Sequence, residues 1–441
     1  MSGMSDYTPT GIPWKFRAKF AMATGSGLER SKQQCDDYVP RGIRATFASL
    51  RNTSFRLYFA AQIASNIGTW IQITAENWLV LTLTDSGLAL GITNALQFGP
   101  LVLFGLYGGV LADRFDRRRL LIVTQSVQAL LALAMGVLIV VGRVELWMIW
   151  AIAFAFGLVT AIDKPALHGF IKDLVGEGDL PNAIALNNVV ISAGRMIGPV
   201  ISGFLIAGFG MAPSFFFNTV SFGLVVLVLL MLNASHLHTT DKAERRPGQV
   251  REGLSYIRRD RVLAPTVIAM SVIFIAAYNL QVLVPLVTVR VLGGSSEQFG
   301  ALMSALGFGA VVGSLVIAAW VKPGLRMIVM WCALLAIVYV WLALPFGTYF
   351  VFAGMFLLGV ACGFFSITVA STLQLSARDD MRGRVMAVYS IGILGSSLIG
   401  APLFGASVDA LGVPRTFLMV AAICAGTAAW AWVRSAKGFD S

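Results

Sequence analysis

Residues 109–119 read G-V-L-A-D-R-F-D-R-R-R. On both sides the chain turns strongly apolar, for about as many residues as a bilayer crossing requires. A dense charge cluster between two membrane-length runs is too short to form a domain, so one helix leaves the bilayer there and the next enters it. Gly109 permits close helix contact. Asp113 is placed to accept hydrogen bonds from backbone N–H groups at a helix start. Arg114, Arg117, Arg118 and Arg119 hold the turn on the cytoplasmic side. A basic turn can be a topology marker and nothing more; the order Gly-x-Leu-Ala-Asp-Arg-x-x-Arg-Arg argues for a dedicated role.

The rest of the chain follows the same plan. Of its 441 residues 57% are hydrophobic and only 12% charged, more apolar surface than a water-soluble domain can hide, so the bilayer is its solvent. Twelve apolar runs, each near the roughly 20 residues a spanning helix needs, lie at 55–81, 88–112, 118–141, 146–165, 184–207, 213–233, 262–288, 299–321, 326–345, 348–371, 384–408 and 413–433. With a cytoplasmic N-terminus, 29 of the 33 Lys and Arg fall on the cytoplasmic side, against Arg143, Arg290 and Arg415 on the other. Both termini are therefore expected in the cytoplasm, in a multi-pass protein of the plasma (inner) membrane. The net charge of +11 sits in short inter-helix loops and in the N-terminal arm, which makes it a topology signal and not a nucleic-acid surface. That arm, residues 1–54, has no signal-peptide pattern; Trp14, Phe16 and Phe20 between Lys15, Arg17 and Lys19 suit either an anionic membrane surface or a disordered tail. Cys35, Cys332, Cys362 and Cys424 have no paired spacing, so neither a disulfide frame nor a metal site is expected, and no cofactor is called for.

The chain also repeats. A shift of 202 residues puts Gly198 on Gly400, Gly203 on Gly405, Gly210 on Gly412 and Phe215 on Phe417. A shift of 209 puts Gly91 on Gly300 and Arg117 on Arg326, with Asp113 falling on Lys322. The expected fold is all-α and integral to the membrane, with twelve transmembrane helices in two six-helix pseudo-repeats. The arm is followed by a bundle over 55–233, a cytoplasmic linker over 234–261, a second bundle over 262–433 and a tail over 434–441. Parallel repeats of this kind place a substrate site at the midplane between the halves.

Polar residues inside the spans are the candidates for function, because lipid cannot satisfy them. On the first span Gln62, Asn66, Thr69 and Glu76 share one helical face. They form either a cavity wall or an inter-helix hydrogen-bonding seam. Glu76, in the outer third, is either a proton carrier or an interfacial acid that is wet or bonded to Asn77. Asp163, beside Lys164 and Pro165, reads as a local charge pair or cap. Arg195, near the middle of the fifth span, either holds an anionic substrate group or the counter-charge of a proton, or braces the bundle through backbone carbonyls. Around it Gly194 and Gly198 make a small-xxx-small face, Pro199 permits a bend, and Gly203 follows. Tyr278, Asn279 and Gln281 cluster in the middle of the seventh span, ahead of Pro285, where they could face Gln62 and Asn66 across a central cavity. His168, His236 and His238 lie in expected cytoplasmic loops without matching carboxylates, which argues against a membrane enzyme. There is no phosphate loop for ATP.

Four stretches carry a resemblance. The 109–119 turn resembles the loop between helices 2 and 3 of major facilitator superfamily transporters, with Asp116 where that motif has a second glycine. The run from Gly194 to Gly203, G-R-M-I-G-P-V-I-S-G, resembles the helix 5 signature of the superfamily's proton-driven exporters. The lead-in T-F-A-S-L-R-N-T-S-F-R-L-Y-F and the stretch A-I-D-K-P-A-L-H-G-F resemble the enterobactin-exporter-like branch, which carries arginine and glutamine where this chain has Leu167 and His168. The resemblance implies a conformational-switch role for Gly109, Asp113, Arg114, Arg117 and Arg118. It also implies a secondary transporter, a monomer whose partners are a small molecule, protons and the bilayer, exporting a hydrophobic or amphipathic compound such as a drug, siderophore or secondary metabolite. A facilitator or importer on the same fold is the nearer rival; a membrane enzyme or receptor is the other.

Overall fold

A computed structural model describes residues 48–232, 249–320, 323–344 and 347–437. The N-terminal arm before residue 48, with Cys35, and the linker stretch that holds His236 and His238 lie outside the described residues. Within them the chain is helical: α1 (Thr53–Thr84), α2 (Gly87–Arg114), α3 (Arg117–Val141), α4 (Leu146–Phe209), α5 (Ala212–Met231), α6 (Gln249–Arg259), α7 (Leu263–Ala277), α8 (Leu280–Arg290), α9 (Ser296–Trp320), α10 (Leu325–Ala343), α11 (Thr348–Ser376), α12 (Arg382–Leu411) and α13 (Val413–Lys437).

Two elements differ from the sequence expectation. A short loop was expected between the fourth and fifth spans, yet α4 runs through 64 residues. At 1.5 Å per residue that is about 96 Å, some three times the hydrocarbon thickness, so it must contain two crossings. Gly176, with φ 72° and ψ −177°, is where it turns back. Pro165 and Pro181 do not end the helix, and His168 is an exposed residue inside it, its Nδ1 2.8 Å from the carbonyl of Lys164. The seventh span, expected as one helix, is broken into α7 and α8 at Tyr278 and Asn279. With these two corrections there are twelve crossings. Ten helical stretches pass by length and hydropathy; α4 counts twice, and α1, 32 residues long but diluted by its polar face, completes the set.

The halves pack alike. In the first, α2 lies against the first limb of α4, and α3 against α5; in the second, α9 lies against α11, and α10 against α13. Between the halves α2 packs on α12, and the second limb of α4 on α9. These two contacts are equivalent under the internal repeat.

The burial pattern shows that the halves are packed together from one end to about mid-depth and part toward the other. In α1 every residue from Ile71 to Leu81 is buried, and in α8 every residue from Val282 to Thr288. Toward the opposite end both lines of helix open. Arg56, Ala60 and Ile63, steps of four and three, are exposed on α1, and Ile268 and Val272 on α7. The apolar cores tell the same story. One cluster runs through the second half and takes in Trp78–Leu81, Leu90 and Phe215 of the first. A separate cluster of Phe55, Tyr58, Phe170, Leu174 and Leu229 belongs to the first half alone. The result is a cleft between the halves, closed where the α1–α2 turn lies and open at the end that carries the 109–119 turn.

Candidate functional site: the inter-half cleft and its closed end

The 109–119 turn is held by its arginines. Asp116, the departure from the motif, is the N-cap of α3, its carboxylate accepting from Arg119 N at 2.8 Å. An N-cap acid at this place does a job that the motif's glycine cannot. Arg117 donates to both carboxylate oxygens of Asp173 at 2.8 and 3.0 Å, tying α3 to the first limb of α4. Arg118 donates to the carbonyls of Leu229 and Leu230 at 2.7 and 3.0 Å, where α5 ends. Gly109 is buried and Arg114 exposed. One residue earlier, at Gly108, a Cβ would stand 2.0 Å from the carbonyl oxygen of Ala161, so α2 meets α4 there backbone to backbone.

The α4 signature is a three-way junction. Gly194 and Gly198 face α1, where a Cβ would meet Asn66 or Trp70. Pro199 and Gly203 face α9, where Gly300 and Ser296 come equally close, and Ser304 donates to the carbonyl of Met196 at 2.9 Å. Arg195 lies between those two faces. Its side chain is exposed, with the guanidinium carbon 4.9 Å from the ring centroid of Trp70.

The polar stripe of α1 divides. Gln62 is buried and donates to Tyr58 Oη at 2.7 Å, and Asn66, half-buried, donates to the carbonyl of Gln62. The stripe lies about a third of a turn from the exposed row Arg56, Ala60, Ile63, so Gln62 belongs to a seam inside the first half. Glu76 is not wet and not paired with Asn77: it is 2% exposed, and its Oε1 has no hydrogen-bond partner. Asn77 instead links the halves, accepting from Asn94 at 3.0 Å and donating to Gln281 at 3.3 Å. In the second half Asn279 donates to the carbonyl of Ile275 at 2.6 Å and Tyr339 to that of Ala277 at 2.6 Å, satisfying carbonyls that the α7–α8 break releases. Tyr278 donates to the carbonyl of Cys362 at 2.5 Å. Tyr278 and Asn279 thus lie at the break, and neither forms a hydrogen bond to Gln62 or Asn66.

Asp163 is no local pair with Lys164. It is 3% exposed and accepts from Thr124 Oγ1 at 2.6 Å and Gln125 Nε2 at 2.9 Å. Replacing it by alanine strands the Gln125 amide donor in the membrane interior, at a cost of about 1–3 kcal/mol, and leaves Thr124 only the carbonyl of Leu121 at 3.2 Å. Asp163→Ala should lower the thermal midpoint in detergent clearly more than Asp163→Asn; equal midpoints would contradict this role. Cys332, Cys362 and Cys424 are free and buried, and among the described residues no group of His, Cys, Asp and Glu could hold a metal.

At the closed end the structure has a feature that the sequence reading missed. Asp409, at the end of α12, accepts from Gly87 N and Leu88 N at 2.8 Å each and from Ser86 Oγ at 3.0 Å. It thereby caps the N-terminus of a helix in the other half. Arg290, at the end of α8, pairs with the same carboxylate at 2.8 Å and also reaches Asp85. Two isolated charges at helix ends carry no motif, so only the fold reveals the clasp.

Twelve crossings in two equivalent halves that are packed together at one end and part toward the other define a membrane transporter of the major facilitator type. The chain belongs to the transmembrane secretion effector family of that superfamily, whose model it matches over residues 44–437. It is 25% identical over 384 residues to the staphyloferrin A transporter of Staphylococcus aureus, covering 84% of this chain and 94% of that one. To the enterobactin exporter EntS of Salmonella typhimurium it is 23% identical over 362 residues, covering 80% and 85%. The fold is shared with the nucleoside transporter NupG (TM-score 0.71, 12% identity, 86% of this chain and 98% of that one) and with a bacterial homologue of the human lysosomal transporter Spinster (0.68, 13%, 87% and 97%).

Proposed function

We propose that this chain is a secondary active exporter that moves a hydrophobic or amphipathic small molecule, of the drug, siderophore or secondary-metabolite kind, out of the cell against proton entry. It works by alternating access. The observation that carries this reading is the one-sided closure: α1 and α8 are buried at one end and expose rows at the other. Counting basic residues by side places the open end, with the termini, in the cytoplasm of a plasma-membrane protein, so the cleft loads from inside. The bundles over 55–233 and 262–433 are the rocking units, the 234–261 segment is their linker, and a monomer suffices. The siderophore names of two relatives support the substrate class.

Glu76 is the proton carrier in this reading. It is embedded in the closed stretch of α1 with an unmet carboxyl oxygen, and an ionised acid there would be costly. Opening the closed end would bring it toward the outer medium. In everted vesicles with an acidified lumen, the wild type should accumulate members of a panel of lipophilic cations, antibiotics and siderophores. Glu76→Gln should abolish that accumulation while the protein stays folded. Undiminished gradient-driven uptake by Glu76→Gln would remove the carboxylate from the cycle; no gradient-driven uptake by the wild type would redirect the search to import.

A further inference from the structure

Arg195 can be placed by its helical neighbours. On the second limb of α4, Gly194 and Gly198 mark the side that packs on α1, and Met196, Pro199 and Gly203 the side that packs on α9. At about 100° per residue, Arg195 falls on the short arc between those two sides. Ile197 and Phe204, both exposed, fall on the long arc that faces lipid. The same short arc carries Ser192, Asn188 and Ile184 toward the open end, all exposed. Beyond Arg195 it carries Ser202, which is buried. Arg195 therefore stands at the apex of the cleft, where the α4–α9 contact begins. Beneath its guanidinium is Trp70, which continues the exposed row of α1 after Arg56, Ala60 and Ile63.

Three things make this arginine unusual. It is a cation at mid-membrane depth, where an unpaired charge costs about 2.5–3.5 kcal/mol even on the mildest scales. Among the described residues no carboxylate forms an ion pair with it; its contact is the face of Trp70. It is also accessible, so it does not brace the bundle through carbonyls, as Arg118 does at α5. A guanidinium placed over an indole, with no carboxylate on its donors, presents a fork for a carboxylate beside a plane for an aromatic or other flat body. On the facing half, half-buried Tyr278 stands at the helix break, on the same side of the helix as buried Phe274. It packs edge-on against Phe274, with centroids 4.6 Å apart. Broken helices at the midplane are where transporters of many folds bind substrate.

We infer that Arg195 and Trp70 form an anion subsite at the cleft apex, which selects substrates carrying a carboxylate next to a flat apolar body. This rests on the exporter reading for its biology but not for its test. The full chain in lipid nanodiscs is titrated with 2-naphthoate and with 2-naphthamide, a neutral analogue of closely similar shape, with empty nanodiscs as the background. The wild type should bind the carboxylate roughly tenfold or more tightly than the amide, as a charge-assisted bond implies. Arg195→Gln should bring the carboxylate down to the level of the amide and leave amide binding unchanged. Arg195→Lys, which keeps a cation without the fork, should retain part of the preference, and Trp70→Leu should weaken both probes. Equal binding of the two probes by the wild type, no binding of naphthoate, a preference that persists in Arg195→Gln, or an equal loss of both probes in that variant would each overturn the subsite. A preference that depends on Arg195, in a protein that moves nothing along a proton gradient, would overturn the exporter reading and leave the subsite standing.

Discussion

Gly405→Val should abolish transport in a protein that still folds, because it props open the closed end. A Cβ at Gly405 would stand 1.9 Å from the carbonyl oxygen of Gly87 and 2.4 Å from its carbon. Those are backbone atoms at the start of α2, so nothing can swing aside. Gly91, a turn further along, meets Ala401 and Pro402 of α12 as closely. The contact joins the two halves, and the alternating access proposed above requires it to separate in the opposite state. A valine is thus tolerated there in one state and forbidden in the other. Gly359 makes the control. Its Cβ would stand 2.0 Å from the carbonyl oxygen of Leu306, but α9 and α11 lie in one half and have no state in which they part. Gly359→Val should therefore be lost to misfolding, at a cost above the usual 1–3 kcal/mol of overpacking. The readout is a cysteine in place of Val284, fully buried in α8, probed from outside with an impermeant maleimide in a background lacking the native cysteines. Gly405→Val should turn it from protected to reactive while the thermal midpoint stays near that of the parent. A protected cysteine with unimpaired transport would refute the contact's role as a gate.

That contact also shows how far the sequence could be read. Of the glycine pairs that exposed the duplication, two form the closing interface. Gly203 and Gly300 join α4 to α9, and their repeat partners Gly405 and Gly91 join α12 to α2. A repeat can be detected in sequence where its residues have no freedom to vary, and a backbone contact that tolerates no Cβ is such a place. The spans, their number and the α4 signature were legible because lipid imposes an apolar length and close packing imposes glycine. What stayed hidden follows from the same logic. The α7–α8 break has no glycine or proline at residues 277–280 to announce it; it is held by side chains from elsewhere in the second half, Tyr339 among them. The polar row of α1 has one periodicity whether it faces a cleft or a neighbouring helix, and only the fold shows that Gln62 is buried and bonds to Tyr58 one turn back on α1 itself. The 64-residue α4 hid its turn because Gly176 is one glycine among 45.

The second large effect is expected at Asp409. Its carboxylate takes two backbone N–H groups at the start of α2, the hydroxyl of Ser86 and the guanidinium of Arg290. The two N–H groups are among those a helix leaves unbonded at its N-terminus, so the other half supplies a cap that α2 obtains only while this end is closed. Opening exchanges these bonds for water. Hydrogen bonds to a charged partner are worth about 1.5–3 kcal/mol each, and the clasp is partly exposed, so a net bias of about 2–3 kcal/mol toward closure is reasonable after solvent screening. That corresponds to roughly 30- to 150-fold in the ratio of closed to open. Asp409→Ala should move the ratio by that factor and raise maleimide labelling of Val284→Cys steeply. Asp409→Asn, which keeps an acceptor but no charge, should fall between. Arg290→Gln should do less than Asp409→Ala, since it leaves the cap of α2 in place. The predicted order, Asp409→Ala over Asp409→Asn and Arg290→Gln, separates helix capping from the ion pair as the stronger part of the clasp. Arg290→Gln matching Asp409→Ala would assign the clasp to the charge pair instead, and unchanged labelling in all three would show that the glycine contacts alone hold the end shut.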